Sequence, residues 1–244
     1  MSALPSRPHR RYPLVLLVVF LLYAAAWAYH PVDPKDWMLE NALAAAFVLA
    51  LIVSNRRFPF SNVSYTLIFV FLCLHTIGAH YTYSLVPYDA WAKKLTGTTI
   101  NAIFGFQRNH FDRLVHFCFG LLLAYPIREL FIRIAGVRGF WGYYLPLDVT
   151  MSFSMLYELI EWAAASFFGS ELGQAYLGTQ GDIWDAQKDM ALASLGALIS
   201  MLLVATSNWK FDKNFGAELR ESFVVKGDAL GEARLRELMK TKES

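Results

Sequence analysis

Charge is scarce in this chain. Asp, Glu, Lys and Arg make up only 17% of its 244 residues, against about 25% in a typical soluble domain. That shortage excludes a disordered chain, which needs high charge and low hydrophobicity. Cysteine is also scarce. Cys73 and Cys118 both sit inside apolar runs and give neither a disulfide framework nor a CxxC metal motif. No basic stripe interleaved with aromatics marks a nucleic-acid surface. No nucleotide-binding glycine loop, internal repeat, GxSxG or HExxH motif is present. What abounds is apolar: 56% hydrophobic residues, 16% aromatics and a mean hydropathy of +0.35. These values point away from an ordinary soluble globule and toward the bilayer.

Six stretches approach the roughly 20 apolar residues that a spanning helix needs: residues 13–29, 37–53, 63–84, 114–135, 143–168 and 186–206. The expected fold is an all-α polytopic bundle of six transmembrane helices. Arg7, Arg10 and Arg11 precede the first helix, and Arg56 and Arg57 follow the second. Arg128, Arg133 and Arg138 join the fourth to the fifth, and most remaining lysines and arginines follow the sixth. This asymmetry places both termini in the cytoplasm. Trp27, Trp37 and Trp184 then fall at the outer interface, and Trp141 and Trp209 at the inner one. Residues 1–12 form a cytoplasmic arm, 13–206 the membrane domain and 207–244 a cytoplasmic tail of helical, interfacial character. An outer loop, 85–111, is long enough to lie on the membrane. The basic arm, first apolar run and Ala24-Ala25-Ala26 also have the shape of a secretory signal peptide, whose removal would leave the orientation of the rest unchanged.

Ionisable residues inside a span are expensive and each needs a partner or a function. Here they concentrate at one depth. His75 and His80 lie in the outer part of the third helix; Asp112, Arg113 and His116 open the fourth. Glu158 and Glu161 lie on the fifth, and Asp182, Asp185, Lys188 and Asp189 open the sixth. At about 100° per residue, Asp112 and His116 are separated by about 40°, and Glu158 and Glu161 by about 60°. Each helix can therefore turn its polar set toward a common interior. His75 and His80 are about 140° apart, and His80, nearer the rim, is the one expected to face inward. The six acids outnumber Arg113 and Lys188 by four, an imbalance relieved by a bound metal, by protonation or by water. Asp112, Asp182, Asp185, Asp189 and His80 are the expected ligands of a divalent cation, whose identity the donor types leave open among Mg²⁺, Ca²⁺, Mn²⁺ and Zn²⁺. Glu158, Glu161 and His116 are the expected catalytic groups, and Arg108, Arg113 and Lys188 the expected substrate-binding ones. Each charged residue taken singly is equally well read as helix glue, with Arg113 and Lys188 stapling acids together.

Arg113 to Phe117 (RLVHF), Gly120 to Glu129 (GLLLAYPIRE), Glu158 to Trp162 (ELIEW) and Leu177 to Met190 (LGTQGDIWDAQKDM) resemble the YjdF-type family of bacterial inner-membrane proteins. The resemblance implies a multi-pass protein of the bacterial cytoplasmic membrane and supplies no reaction. A looser similarity links the chain to VanZ-like membrane proteins, which are associated with glycopeptide resistance. Asp112, His116 and Glu158 match their pattern, whereas Glu161 stands for a Gln and Asp189 for an Asn. Three readings follow: a cation-dependent membrane enzyme acting on a lipid or lipid-linked substrate, a small transporter or ion pathway, and a non-catalytic scaffold or resistance factor. The bilayer is the expected partner and nucleic acid is not.

Overall fold

A chain in hydrocarbon must satisfy its backbone hydrogen bonds within each segment, and the apolar runs here do so as helices. The computed structural model describes residues 11–168, 179–225 and 231–242, and no strand occurs among them. Its helices are α1 (Arg11–Trp27), α2 (Pro34–Ser54), α3 (Asn62–His80), α4 (Tyr88–Thr96), α5 (Ile100–Phe104), α6 (Phe111–Ile134), α7 (Trp141–Phe168), α8 (Asp185–Phe211), α9 (Phe215–Glu221) and α10 (Glu232–Lys242).

Six of these fall on the six apolar stretches. Four of them, α2, α3, α6 and α8, are long and apolar enough to cross a membrane. α1 is apolar but has 17 residues, and the 28 residues of α7 include Asp148, Glu158 and Glu161. The boundaries have local causes. Asp33 caps α2 by accepting from the Lys35 and Asp36 amides, with Pro34 in the first turn. The Ser61 hydroxyl caps α3. The expected third stretch ran to Ser84, but α3 stops at His80, because Thr82 and Tyr83 take left-handed backbone angles (φ 51° and 53°). The outer loop is not irregular: it folds into α4 and α5, each ended by a left-handed glycine, Gly97 and Gly105. Beyond α8, residues Phe215–Glu221 and Glu232–Lys242 form the short helices α9 and α10. Most of the N-terminal arm, residues 169–178 of the long loop and residues 226–230 lie outside the described residues.

The long helices gather their polar ends. The His80 carbonyl accepts from the Val32 amide, and His80 Nδ1 lies 2.7 Å from the Trp27 carbonyl, so α1, α2 and α3 meet there. The N-terminal ends of α6 and α8 join the same end of the bundle. At the opposite, basic end, Glu129 on α6 accepts from the Ser61 amide and the Ser64 hydroxyl of α3. There the Asn208 amide of α8 donates to the Tyr143 hydroxyl of α7, and Ser222 beyond α9 accepts from the Phe140 amide and the Trp141 indole. Apolar layers separate the ends: Phe20, Ile68, Leu72 and Leu123 in one, Ala124, Ala197 and Met201 in another.

Candidate metal and catalytic site

The site is built on the crossing of α6 and α8, which is close because glycines face backbone there. A methyl group added at Gly120 would lie 1.8 Å from the Ala193 carbonyl oxygen, and one at Gly196 would lie 2.1 Å from the Phe117 carbonyl oxygen. Ala124, Ala193 and Ala197 are fully buried alongside. Small residues let spanning helices approach this closely. One turn above Gly120 stands His116, with Asp112 beyond it; two turns above Gly196 stands Asp189, with Asp185 beyond it. The crossing thus fixes four polar side chains against one another.

The outer tier is a network of ion pairs. Asp185 Oδ1 accepts from Arg108 Nη2 at 2.5 Å and Arg113 Nη2 at 3.1 Å. Asp182 Oδ2 accepts from Arg113 Nη2 at 2.5 Å and Lys188 Nζ at 2.6 Å. Arg108 also donates to the Thr179 carbonyl, and Asn109 and Gln180 exchange hydrogen bonds between side-chain amide and backbone. The hydrogen bond from Lys188, the Trp184 amide and Arg113 hold the Asp182 carboxyl well below the usual carboxylate range. Burial, with Arg113 and Arg108 nearby, pushes His110 below its ordinary value, which keeps it neutral at pH 7. Of the sequence-predicted residues, Asp182, Asp185, Arg108, Arg113 and Lys188 therefore come together, but as partners of one another.

The inner tier lacks such partners. Asp112, His116 and Asp189 present ligand atoms all within 4.8 Å of one another. His116 Nε2 is 3.5 Å from Asp112 Oδ1 and 3.7 Å from Glu158 Oε1. His116, Glu161 and Asp189 are buried, and the Glu158 side chain is 9% exposed. Among the described residues no Lys or Arg forms an ion pair with Asp112, Glu158, Glu161 or Asp189. Asp189 Oδ1 and Glu158 Oε1 are buried with no hydrogen-bond partner. The same molecule displays the alternative: Glu129, an acid in the basic half, is satisfied by Ser61, Ser64 and Arg133. A buried acid that only holds helices together looks like Glu129; the inner tier does not.

Two acids escaped the sequence reading. α2 carries charge only in its first two turns, at Lys35, Asp36 and Glu40, and its buried residues are the two acids, Asp36 and Glu40. Glu40 Oε2 accepts from the Tyr157 hydroxyl of α7 at 3.0 Å. The available signal was an acid inside an apolar run, with a second acid one turn before it. The histidines also differ from expectation. His75 is buried and hydrogen-bonded to the Tyr83 hydroxyl. His80 binds the Trp27 carbonyl, and its ring packs on Trp27 and Tyr81, away from the ligand group. Tyr83 packs against Gly78 so closely that a methyl there would meet its ring at 2.4 Å, and this turn brings the Tyr83 hydroxyl back to His75.

Comparison with known proteins adds membership but no chemistry. Residues 12–210 match the family described as "Predicted membrane protein (DUF2238)". The chain is 35% identical over 211 residues to the inner membrane protein YjdF of Escherichia coli (strain K12), covering 84% of this chain and 95% of that protein. No solved structure matches.

Proposed function

The chain belongs to the DUF2238 family of predicted membrane proteins, and from that premise we propose that it is an inner-membrane metalloenzyme of six spans, with both termini cytoplasmic. The observation that carries the reading is the buried Asp112–His116–Asp189 group, with an Asp189 oxygen that nothing else satisfies. One imidazole nitrogen with two carboxylates suits Mn²⁺ or Zn²⁺ and tolerates harder ions. Asp182 and Asp185, expected as ligands, are paired with arginines and fall outside this group, as does His80. A divalent ion there supplies polarisation of an ester oxygen and activation of water.

The chain's own residues do the rest. Glu158 Oε1, buried and free of hydrogen bonds, accepts a proton from the attacking water. The water oxygen bonds to the phosphoryl or acyl centre of a lipid-linked ester, the ester bond to the alcohol breaks, and the leaving oxygen recovers that proton. Arg108, Arg113 and Lys188 stand in the outer tier, and the single positive charge they leave after pairing with Asp182 and Asp185 favours an anionic headgroup at that end. Exposed Leu95, Ile103, Phe104, Ile183 and Trp184 border the same end, which suits an acyl or isoprenyl substrate. The basic residues of α1, of the α2–α3 and α6–α7 links and of the tail all belong to the opposite end, and so support the orientation.

The test is metal content. Detergent-purified wild type, loaded with Mn²⁺ or Zn²⁺ and dialysed, retains metal, and Asp189→Ala and His116→Ala lose it. A metal-free wild type would end the reading. An ion pathway has one observation in its favour: buried Thr150, Ser154 and Ser200 lie below the acids, and Ser154 Oγ has no partner. Proton flux in proteoliposomes, abolished by Ser154→Ala and unaffected by metal chelation, would decide for it.

A further inference from the structure

We infer that a groove between α1 and α2 holds one anionic phospholipid, with an acyl chain inside it and the phosphate at Arg56 and Arg57. The groove lies at the basic end, which the proposed orientation places in the cytoplasmic leaflet, and it is independent of the metal site at the other end. α1 and α2 each pack on α3 but not closely on one another. The Tyr12 hydroxyl meets Thr66 Oγ1 at 2.6 Å and ties the start of α1 to α3. Between α1 and α2 the three helices leave an apolar space of about 310 Å³, open on one side.

The shape suits a hydrocarbon chain. Pro13 and Asn55 stand at the mouth, and Phe20 and Leu72 at the deep end. Along α1 the step from Pro13 to Phe20 spans about 10 Å, so the groove runs well into the leaflet. Of its lining residues only Asn55 and Tyr65 are polar, and both stand at the basic margin. Apolar walls with a few polar anchors are the usual make-up of a ligand site of this size. Unfilled apolar space forfeits dispersion contacts, and a lipid tail is the material at hand to supply them.

The charge at the mouth selects the headgroup. Arg56 and Arg57 directly follow Asn55, and Arg11 precedes Pro13 by two residues. All three are exposed, and none has an ion pair among the described residues. Other arginines of this end are engaged: Arg133 with Glu129, Arg138 with Glu218, and Arg128 over the Tyr143 ring. The link carrying Arg56 and Arg57 is pinned to α6, because Arg133 covers the Phe58 ring and donates to the Pro59 carbonyl. The Tyr65 hydroxyl donates to Asn55 Oδ1 at 2.6 Å, which leaves the Asn55 amide nitrogen to donate elsewhere. Guanidinium groups take phosphate bidentately, and the anionic lipids of the cytoplasmic leaflet attract arginines beside a span. A second copy of the chain seated on the same groove would set arginine against arginine, so the lipid is the better occupant.

Full-length protein in detergent is titrated with phosphatidylglycerol and, separately, with phosphatidylethanolamine of the same chains, and bound lipid is counted by native mass spectrometry. One retained phosphatidylglycerol per chain is expected, preferred over phosphatidylethanolamine by roughly tenfold. Arg56→Gln combined with Arg57→Gln should abolish that preference. Lys210→Gln combined with Lys213→Gln, which removes the same charge from the same end, should preserve it. Leu17→Trp, which fills the groove, should retain neither lipid. No bound lipid in the wild type, or equal retention of the two lipids, overturns the site. An equal loss of preference in both glutamine pairs also overturns it, since surface charge alone would then explain the binding. Lipid still held by Leu17→Trp refutes the placement of the acyl chain. The two glutamine pairs decide the matter even if Leu17→Trp fails to fold.

Discussion

Glu129 and Asp189 are both carboxylates inside α6 and α8, and their surroundings set opposite expectations. Glu129 accepts two hydrogen bonds from α3 and one from Arg133. Replacing it with Ala leaves those donors unpaired, and the predicted loss is about 1–3 kcal/mol of stability, read as a lower melting temperature in detergent. Asp189 has an oxygen with no partner. In metal-free protein, Asp189→Asn removes a buried charge, and melting at an equal or higher temperature is the expected result. Glu158→Gln should fold normally and lower ester turnover about 10²–10⁴-fold, the contribution of a general base; phosphate release from phosphatidic acid is the assay. Asp182 gives the pH dependence. Its carboxyl is held below the ordinary value, so its stabilisation is complete above the unfolded pKa of about 4 and fades as pH falls toward the folded one. The melting difference between wild type and Asp182→Asn should be constant from pH 8 to about pH 5 and narrow below about pH 4.

At the scale of the element, the α6–α8 crossing governs everything above it. Gly120→Ala places a methyl against the Ala193 carbonyl and must push the helices apart. The expected cost is about 1–3 kcal/mol of overpacking, accompanied by loss of bound Mn²⁺ from a site four residues away; Gly216→Ala, which meets no neighbouring atom, should leave metal content unchanged. The crossing also explains what was legible in advance. Hydropathy reports the length of an apolar run, so the six long helices could be read to within a few residues. The convergence of Asp112, His116, Glu158 and Asp189 was legible as well, since acids at one depth on several helices have few places to go. Rotation about the helix axis was not. Apolar residues satisfy lipid and protein alike, so in α2 only the two acids one turn apart, Asp36 and Glu40, hint at which side faces inward. That His75 is buried against Tyr83 was illegible for a related reason: the left-handed turn at Thr82 and Tyr83, which returns the Tyr83 hydroxyl to His75, sits beyond the helix and cannot be read from periodicity. Arg113 was read as charge balance and Arg108 as substrate-binding, but their pairing with Asp182 and Asp185 rather than Asp112 and Asp189 depends on the Thr179–Trp184 turn, which only the fold supplies.

Across the whole molecule, the acidic site and the contacts of the basic tail occupy opposite ends. The tail reaches the basic end through Ser222, which accepts from Phe140 and Trp141, and through Phe223 against Phe140. Truncation after Lys213 should therefore lower the melting temperature slightly while leaving bound metal unchanged, as elemental analysis would report. α2 stands apart from the tightly crossed helices. It packs chiefly on α3, its outward surface is apolar, and yet it delivers Glu40 to the innermost acids. Of the long helices that carry these acids, α2 is the one least tightly packed on its neighbours. If the proposed lipid-linked substrate enters from within the leaflet, a cross-link between α2 and α7 should slow its turnover without loss of bound metal.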